Sequence, residues 1–226
     1  MSDAAIPYTQ EPTTAKPMTT RAAIIGAWTV LIALALVFIA VYAAHYFVHF
    51  NEATFGPYWP RRWALLLHVG GGIAALLTAP FQFWSGYRRM PMRVHRWIGR
   101  IFVASVTAGS VGAFYLAVTT TFDWAFGFAT VMMNLAWIST TAMAYYAIRR
   151  HLIAVHKEWM IRAYAITFAF VSIRMFNDVL PTSQLAGKEL AITLPWASWA
   201  LPFLAIELIL QLKHIHSARK PMPASL

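Results

Sequence analysis

The chain contains no cysteine. That single absence removes disulfides, thiolate metal sites, iron–sulfur clusters, cysteine nucleophiles and the attachment of a c-type haem. Charge is also scarce. Only 12% of the 226 residues are Asp, Glu, Lys or Arg, against about 25% in a soluble domain. The shortage is greatest in acidic residues, 8 against 18 basic ones. There is no glycine-rich phosphate loop, no stretch long enough for a soluble nucleotide-binding domain, and no Ser-His-Asp spacing.

What fills the chain instead is apolar. Ala, Val, Ile, Leu, Met, Phe, Trp and Tyr make up 59% of it. Apolar runs recur at about 20 residues, the length that crosses a bilayer core as a helix. The pattern predicts an all-α, polytopic membrane helix bundle with six transmembrane helices. The expected spans are 22–47, 63–84, 97–119, 126–148, 159–180 and 194–212. This divides the chain into a disordered tail (1–21), a transmembrane domain (22–213) and a basic tail (214–226). Residues 1–21, rich in Thr and Pro, lack the basic start and early apolar core of a cleaved signal peptide.

The net charge of +10 is explained by orientation rather than by nucleic acid. Fourteen Lys and Arg fall on one side: in the 85–96 and 149–158 loops, at Arg100 and Arg162, and in the two tails. Arg61, Arg62 and Lys188 are the three on the other side. Basic loops stay cytoplasmic, so both termini are expected inside. Trp63, Trp84, Trp97, Trp159 and Trp196 fall near span ends, as an interfacial aromatic belt requires. There is also an internal similarity. Arg88-Arg89 precedes His95, Trp97 and Arg100, and Arg149-Arg150 precedes His156, Trp159 and Arg162. The two hairpins are candidates for a parallel repeat.

Three groups of residues can carry chemistry. His95 and His156 begin helices on the basic side. As repeat equivalents they are candidate axial ligands of one haem iron; the plainer role is helix capping beside lipid phosphate. On the other side, His68 sits in an apolar span before Gly70-Gly71-Gly72 and needs a buried partner. His45 lies at similar depth, so the pair can ligate a second haem, or with His49 and Glu52 a divalent metal. The third group is Arg174 and Asp178 in span five with Glu207 in span six. Charges within spans usually face the bundle interior. Arg174 matches the depth of His68, which suits a haem propionate or a quinone carbonyl; pairing with Asp178 is the structural alternative. Glu207, Arg100 and Arg162 are also candidate cofactor-binding residues; the structural alternative is that Glu207 pairs with Arg100 or Arg162. Asn134, Ser139, Thr140 and Thr141 read as interhelical hydrogen-bonding groups.

The segments HVGGGIAALLTAPFQFW, HRWIGRIFV and HKEWMIRAYAITFAFVSIR resemble a large bacterial family of predicted membrane proteins, domain of unknown function 2306. The likeness runs from about His68 to Glu207, and takes in Gln82 and Arg174. Ala79 stands where Gly is more usual, and Lys157 where Arg is. The resemblance implies a multi-helix fold in the bacterial inner membrane and brings no established reaction. His45 and His49 lie outside it. The leading expectation is a b-type cytochrome-like protein binding haem b and exchanging electrons with quinone. The alternatives are an accessory or assembly subunit of a larger membrane complex, and an intramembrane enzyme or transporter acting on a small lipid-soluble substrate. The expected partners are the bilayer, quinone and other membrane subunits.

Overall fold

The computed structural model describes residues 18–87, 91–179 and 187–218. Among them every regular element is a helix and none is a strand. Helix α1 (Met18–Phe38) leads through a π turn, Ile39–Ala43, into the short α2 (His45–Val48). Next come α3 (Glu52–Phe55) and a 3₁₀ segment, Gly56–Arg61. The long helices follow: α4 (Arg62–Tyr87), α5 (Met92–Val118), α6 (Trp124–Arg149), α7 (Ile153–Thr167), α8 (Ala169–Val179) and α9 (Gly187–Ala218). Of the expected tail over residues 1–21, residues 1–17 lie outside the described residues and 18–21 belong to the start of α1.

Local chemistry sets several boundaries. The Asn51 side chain accepts from Thr54 N at 2.9 Å to cap α3, and Asp123 accepts from Ala125 N at 2.9 Å to cap α6. Helices α4 and α5 form the most intimate pair. They approach on glycines: a Cβ added at Gly71 would lie 2.6 Å from Gly109 N and from Ser105 O. Small residues let helix backbones approach this closely, which gives membrane helices their packing energy.

The centre of the bundle is a core shared by α4 to α8, built around Phe102, Val106, Trp137, Ile166 and Tyr164. Trp28 and Leu31 of α1 and Trp199 and Phe203 of α9 pack on its outside. The buried face of α6 runs Met133, Asn134, Trp137, Thr140, Thr141 and Ala144, an inward stripe at helical spacing. Its remaining faces expose Phe128, Leu135, Ile138 and Met143. Large apolar side chains are exposed in the same way on all the long helices, a surface suited to lipid rather than water.

Among the described residues, four stretches are long and apolar enough to cross a membrane: Ile25–Ala43, Glu52–Ser85, Met92–Val118 and Ile192–His216. Helix α6 has the length, with 26 residues, but its inward Asn and Thr residues dilute its hydropathy. The expected fifth span is interrupted. It divides at Phe168 into α7 and α8, of 15 and 11 residues. The Thr167 hydroxyl donates to Ala163 O at 2.8 Å, a back-bond that bends helices. The first span is also irregular: Ala44 N bonds Ile39 O, five residues back, at 2.7 Å.

Candidate functional site

His68 lies on α4 where that helix is pressed against α5. A Cβ at Gly112 would meet His68 Cβ at 3.1 Å, and one at Gly109 would meet His68 O at 3.4 Å. The close approach brings His68 Nδ1 to 3.1 Å from Gly109 O. A carbonyl can only accept, so Nδ1 carries the proton and Nε2 keeps its lone pair. The ring meets Phe170 edge-on, with centroids 4.9 Å apart.

The next carbonyl along α5 holds a second polar side chain. Asn134 Nδ2 donates to Ser110 O at 3.1 Å. Asn134 is 4% exposed, and its Oδ1 has no hydrogen-bond partner among the described residues. Trp137, one turn further along α6, donates its indole N–H to Thr167 Oγ1 at 2.8 Å. His68 and Asn134 are therefore anchored on consecutive carbonyls of one helix, one from each flanking helix.

Both residues line a cavity of about 1110 Å³ bounded by α1 and by α4 to α9. Most of its wall is apolar: Leu65, Ile73, Leu76, Met133, Ile166 and Phe170 are typical. Arg174 lines the same cavity at its exposed end, its guanidinium 5.8 Å from the ring centroid of Tyr42. Tyr42 sits in the π turn, a type of irregularity that recurs at functional sites. Tyr46 and Tyr58 also contribute to the wall. So His68 and Arg174, expected at one depth, share one cavity. The suggested pairing of Arg174 with Asp178 involves a side chain outside those described. His45 stacks on Tyr46, centroids 4.0 Å apart, and is not among the lining residues.

The other group lies at the arginine-rich end. His95 and His156 are each the fourth residue of their helix, α5 and α7. His95 Nδ1 is 2.7 Å from Ser85 Oγ. That hydroxyl donates to Gln82 O at 3.0 Å, so the imidazole N–H is the donor between them. Gln82 Nε2 in turn donates to His95 O at 2.8 Å. His156 Nδ1 donates to Ala144 O at 2.8 Å. Each histidine thus ties its helix start to the helix before it, and the two imidazoles are within Coulombic reach of each other. The repeat extends to Arg100 over Trp97 at 5.0 Å and Arg162 over Trp159 at 4.8 Å.

There the equivalence ends. Arg100 is exposed, whereas Arg162 is buried and holds Glu207 through Nε at 2.9 Å and Nη2 at 2.6 Å. Glu158 adds a contact to Arg162 at 3.8 Å and accepts from His214 at 2.7 Å. Arg162 and Glu207 thus form the lock between α7 and α9. None of His95, His156, Arg100, Arg162 and Glu207 lines the large cavity. Among the described residues no three His, Asp or Glu side chains converge on a metal position.

The sequence reading named His68 and Arg174 and passed over Asn134 as an interhelical bonding group. That description holds for its Nδ2 and misses its Oδ1. The available signal was an amide three residues before a tryptophan in an otherwise apolar stretch, which puts both on one inward face.

A family model described as a predicted membrane protein, DUF2306, matches residues 65–210. No curated protein and no solved structure matches the chain.

Proposed function

The chain belongs to the DUF2306 family of predicted membrane proteins, and from that premise we propose that it binds a small amphipathic molecule of the quinone class in the cavity beside His68. The observation that carries this reading is the pairing, in one largely apolar cavity, of an imidazole with a free Nε2 and a guanidinium. Ligand sites have this composition: apolar walls that hold the body, and a few placed polar groups that fix its orientation. A quinone-class ring has polar oxygens for groups such as His68 and Arg174, and an apolar tail that belongs in lipid. The volume, about 1110 Å³, is ample for such a headgroup, since ligand pockets run from about 300 to 1,000 Å³.

The setting belongs to the same proposal. Six spans, with both termini in the cytoplasm of a bacterial cell and the chain in the inner membrane, account for the fourteen-to-three division of basic residues. In this orientation α6 and the interrupted α7–α8 unit are the two further spans. Their polar groups face inward, where membrane helices tolerate them.

The test is binding of a decyl-substituted benzoquinone to the purified protein in nanodiscs, followed by quenching of tryptophan fluorescence. Saturable quenching that is lost in His68→Ala and in Arg174→Gln supports the reading. Quenching that is the same in the wild type and both variants contradicts it.

A second reading keeps the expected haem b. It rests on the state of His68, His95 and His156, each of which donates through Nδ1. That leaves Nε2 as the lone-pair donor, the form in which imidazole ligates iron. A reduced-minus-oxidised spectrum of protein from haem-sufficient cells separates the readings. A b-type α band that disappears in a histidine variant supports haem, and a colourless preparation rejects it.

A further inference from the structure

A second concavity lies away from the His68 cavity, at the arginine-rich end of the bundle. The start of α7 and the end of α9 run side by side there and leave a groove of about 580 Å³ between them. Its apolar lining is Ile153, Ala154 and Ile161 from α7 and Leu210 from α9. Each helix adds one lysine, Lys157 on α7 and Lys213 on α9, and both residues are exposed. We propose that this groove binds an anionic glycerophospholipid, whose phosphate takes the two lysines and whose acyl chains lie on the apolar lining. The site is independent of the ligand reading of the His68 cavity, with which it shares no residue.

Charge, depth and neighbouring surface favour that occupant. The seam between α7 and α9 sets Arg162, Lys157 and Lys213 against Glu158 and Glu207, three cations against two carboxylates before His214 is counted. Both carboxylates are engaged elsewhere. Glu158 also lines the groove, but its Oε1 accepts from His214 at 2.7 Å and its Oε2 faces Arg162 at 3.8 Å. Glu207 is held by Arg162 and Gln211. The Arg149-Arg150 doublet stands just before α7 and adds to the positive potential. Depth is set by α9. Its apolar stretch runs Ile192–His216, so Lys213 stands in the last turn of that stretch, where headgroup phosphates meet the hydrocarbon. A lysine there lays its stem along apolar surface and keeps its ammonium at the headgroups. Trp159, two residues from Lys157, suits the same level. Beside the groove, Ile209, Leu212 and Ile215 are exposed, a surface for acyl chains rather than water. Basic pockets between membrane helices at this level hold anionic headgroups. One phosphate held by a lysine from each helix would also reinforce the Arg162–Glu207 lock.

The experiment is thermal unfolding of the full chain in a non-ionic detergent, with phosphatidylglycerol or phosphatidylcholine titrated in as mixed micelles. A ligand that binds the folded protein raises its unfolding temperature saturably. Phosphatidylglycerol is expected to do so. Phosphatidylcholine, with the same chains and no net charge, and inorganic phosphate, with no chains, are expected not to. Lys157→Gln and Lys213→Gln should each raise the half-effect concentration of phosphatidylglycerol about fivefold, the ratio for one lysine near a membrane surface. Arg93→Gln combined with Arg96→Gln removes two exposed charges outside the groove and should leave the response near wild type. The quantity read is the lipid-dependent rise, so a variant that is less stable without lipid still reports, and the lipid comparison on the wild type needs no variant. No rise with phosphatidylglycerol, an equal rise with both lipids, or a rise with inorganic phosphate alone overturns the site. So does a full response in the double lysine variant, or an equal loss in the arginine control.

Discussion

At the scale of single residues, what matters is what each side chain meets across a helix interface. Gly71 and Gly72 are neighbours with opposite surroundings. A Cβ at Gly71 runs into α5 backbone at 2.6 Å, while one at Gly72 meets nothing within 4 Å. Gly71→Ala must push two helices apart and is expected to destabilise by about 1–3 kcal/mol. Gly72→Ala is expected to be neutral, or to stabilise by up to about 1 kcal/mol through helix propensity. Thermal unfolding in detergent checks the pair, and equal effects would show that α4 and α5 are not packed as described. His68 was legible in the sequence because an ionisable group in an apolar run requires a partner. The role of Asn134 was not. Which atom of an amide is left over depends on the carbonyl it meets, and Ser110 lies 24 residues away.

At the scale of elements, two features stand out, the break between α7 and α8 and the lock between α7 and α9. The break was hidden in the sequence. Thr167 looks like any other threonine until its hydroxyl is seen to bond Ala163 O while accepting from Trp137. The lock was partly legible, since a carboxylate inside a span must find a cation, and Arg162 was one of two candidates. Arg162 is 8% exposed at its side chain and Glu207 33%. Glu207→Gln leaves a buried guanidinium with only the longer contact to Glu158. The expected loss is on the order of 2 kcal/mol, below that of a fully buried pair because Glu207 is partly screened. Glu158→Gln should cost less, since its contact to Arg162 is 3.8 Å. A double-mutant cycle on Glu207 and Arg162 reports the coupling; a coupling near zero would remove the lock. His95 and His156 had the same position in the sequence pattern, and the structure gives them the same task, tying a helix start to its predecessor. The pattern did not foretell that Arg100 and Arg162 would differ, because that depends on whether α9 packs alongside.

At the scale of the molecule, helical class and membrane character were legible from composition, because 59% apolar residues leave no other means of covering the surface. The cavity was not legible. Its volume comes from the spacing of several helices, and no local pattern encodes that. The proposed topology predicts that reporters fused to either terminus are active only on the cytoplasmic side, and that a cysteine introduced at Thr121 is labelled from outside intact cells. Labelling of Thr121→Cys only after lysis would reverse the orientation. The most direct test of the ligand site itself is organic extraction of protein purified from quinone-containing membranes, with the quinone-class lipid counted per mole of chain in the wild type and in His68→Ala. The cavity as described predicts close to one molecule per wild-type chain and almost none in the variant; equal amounts in the two would contradict it.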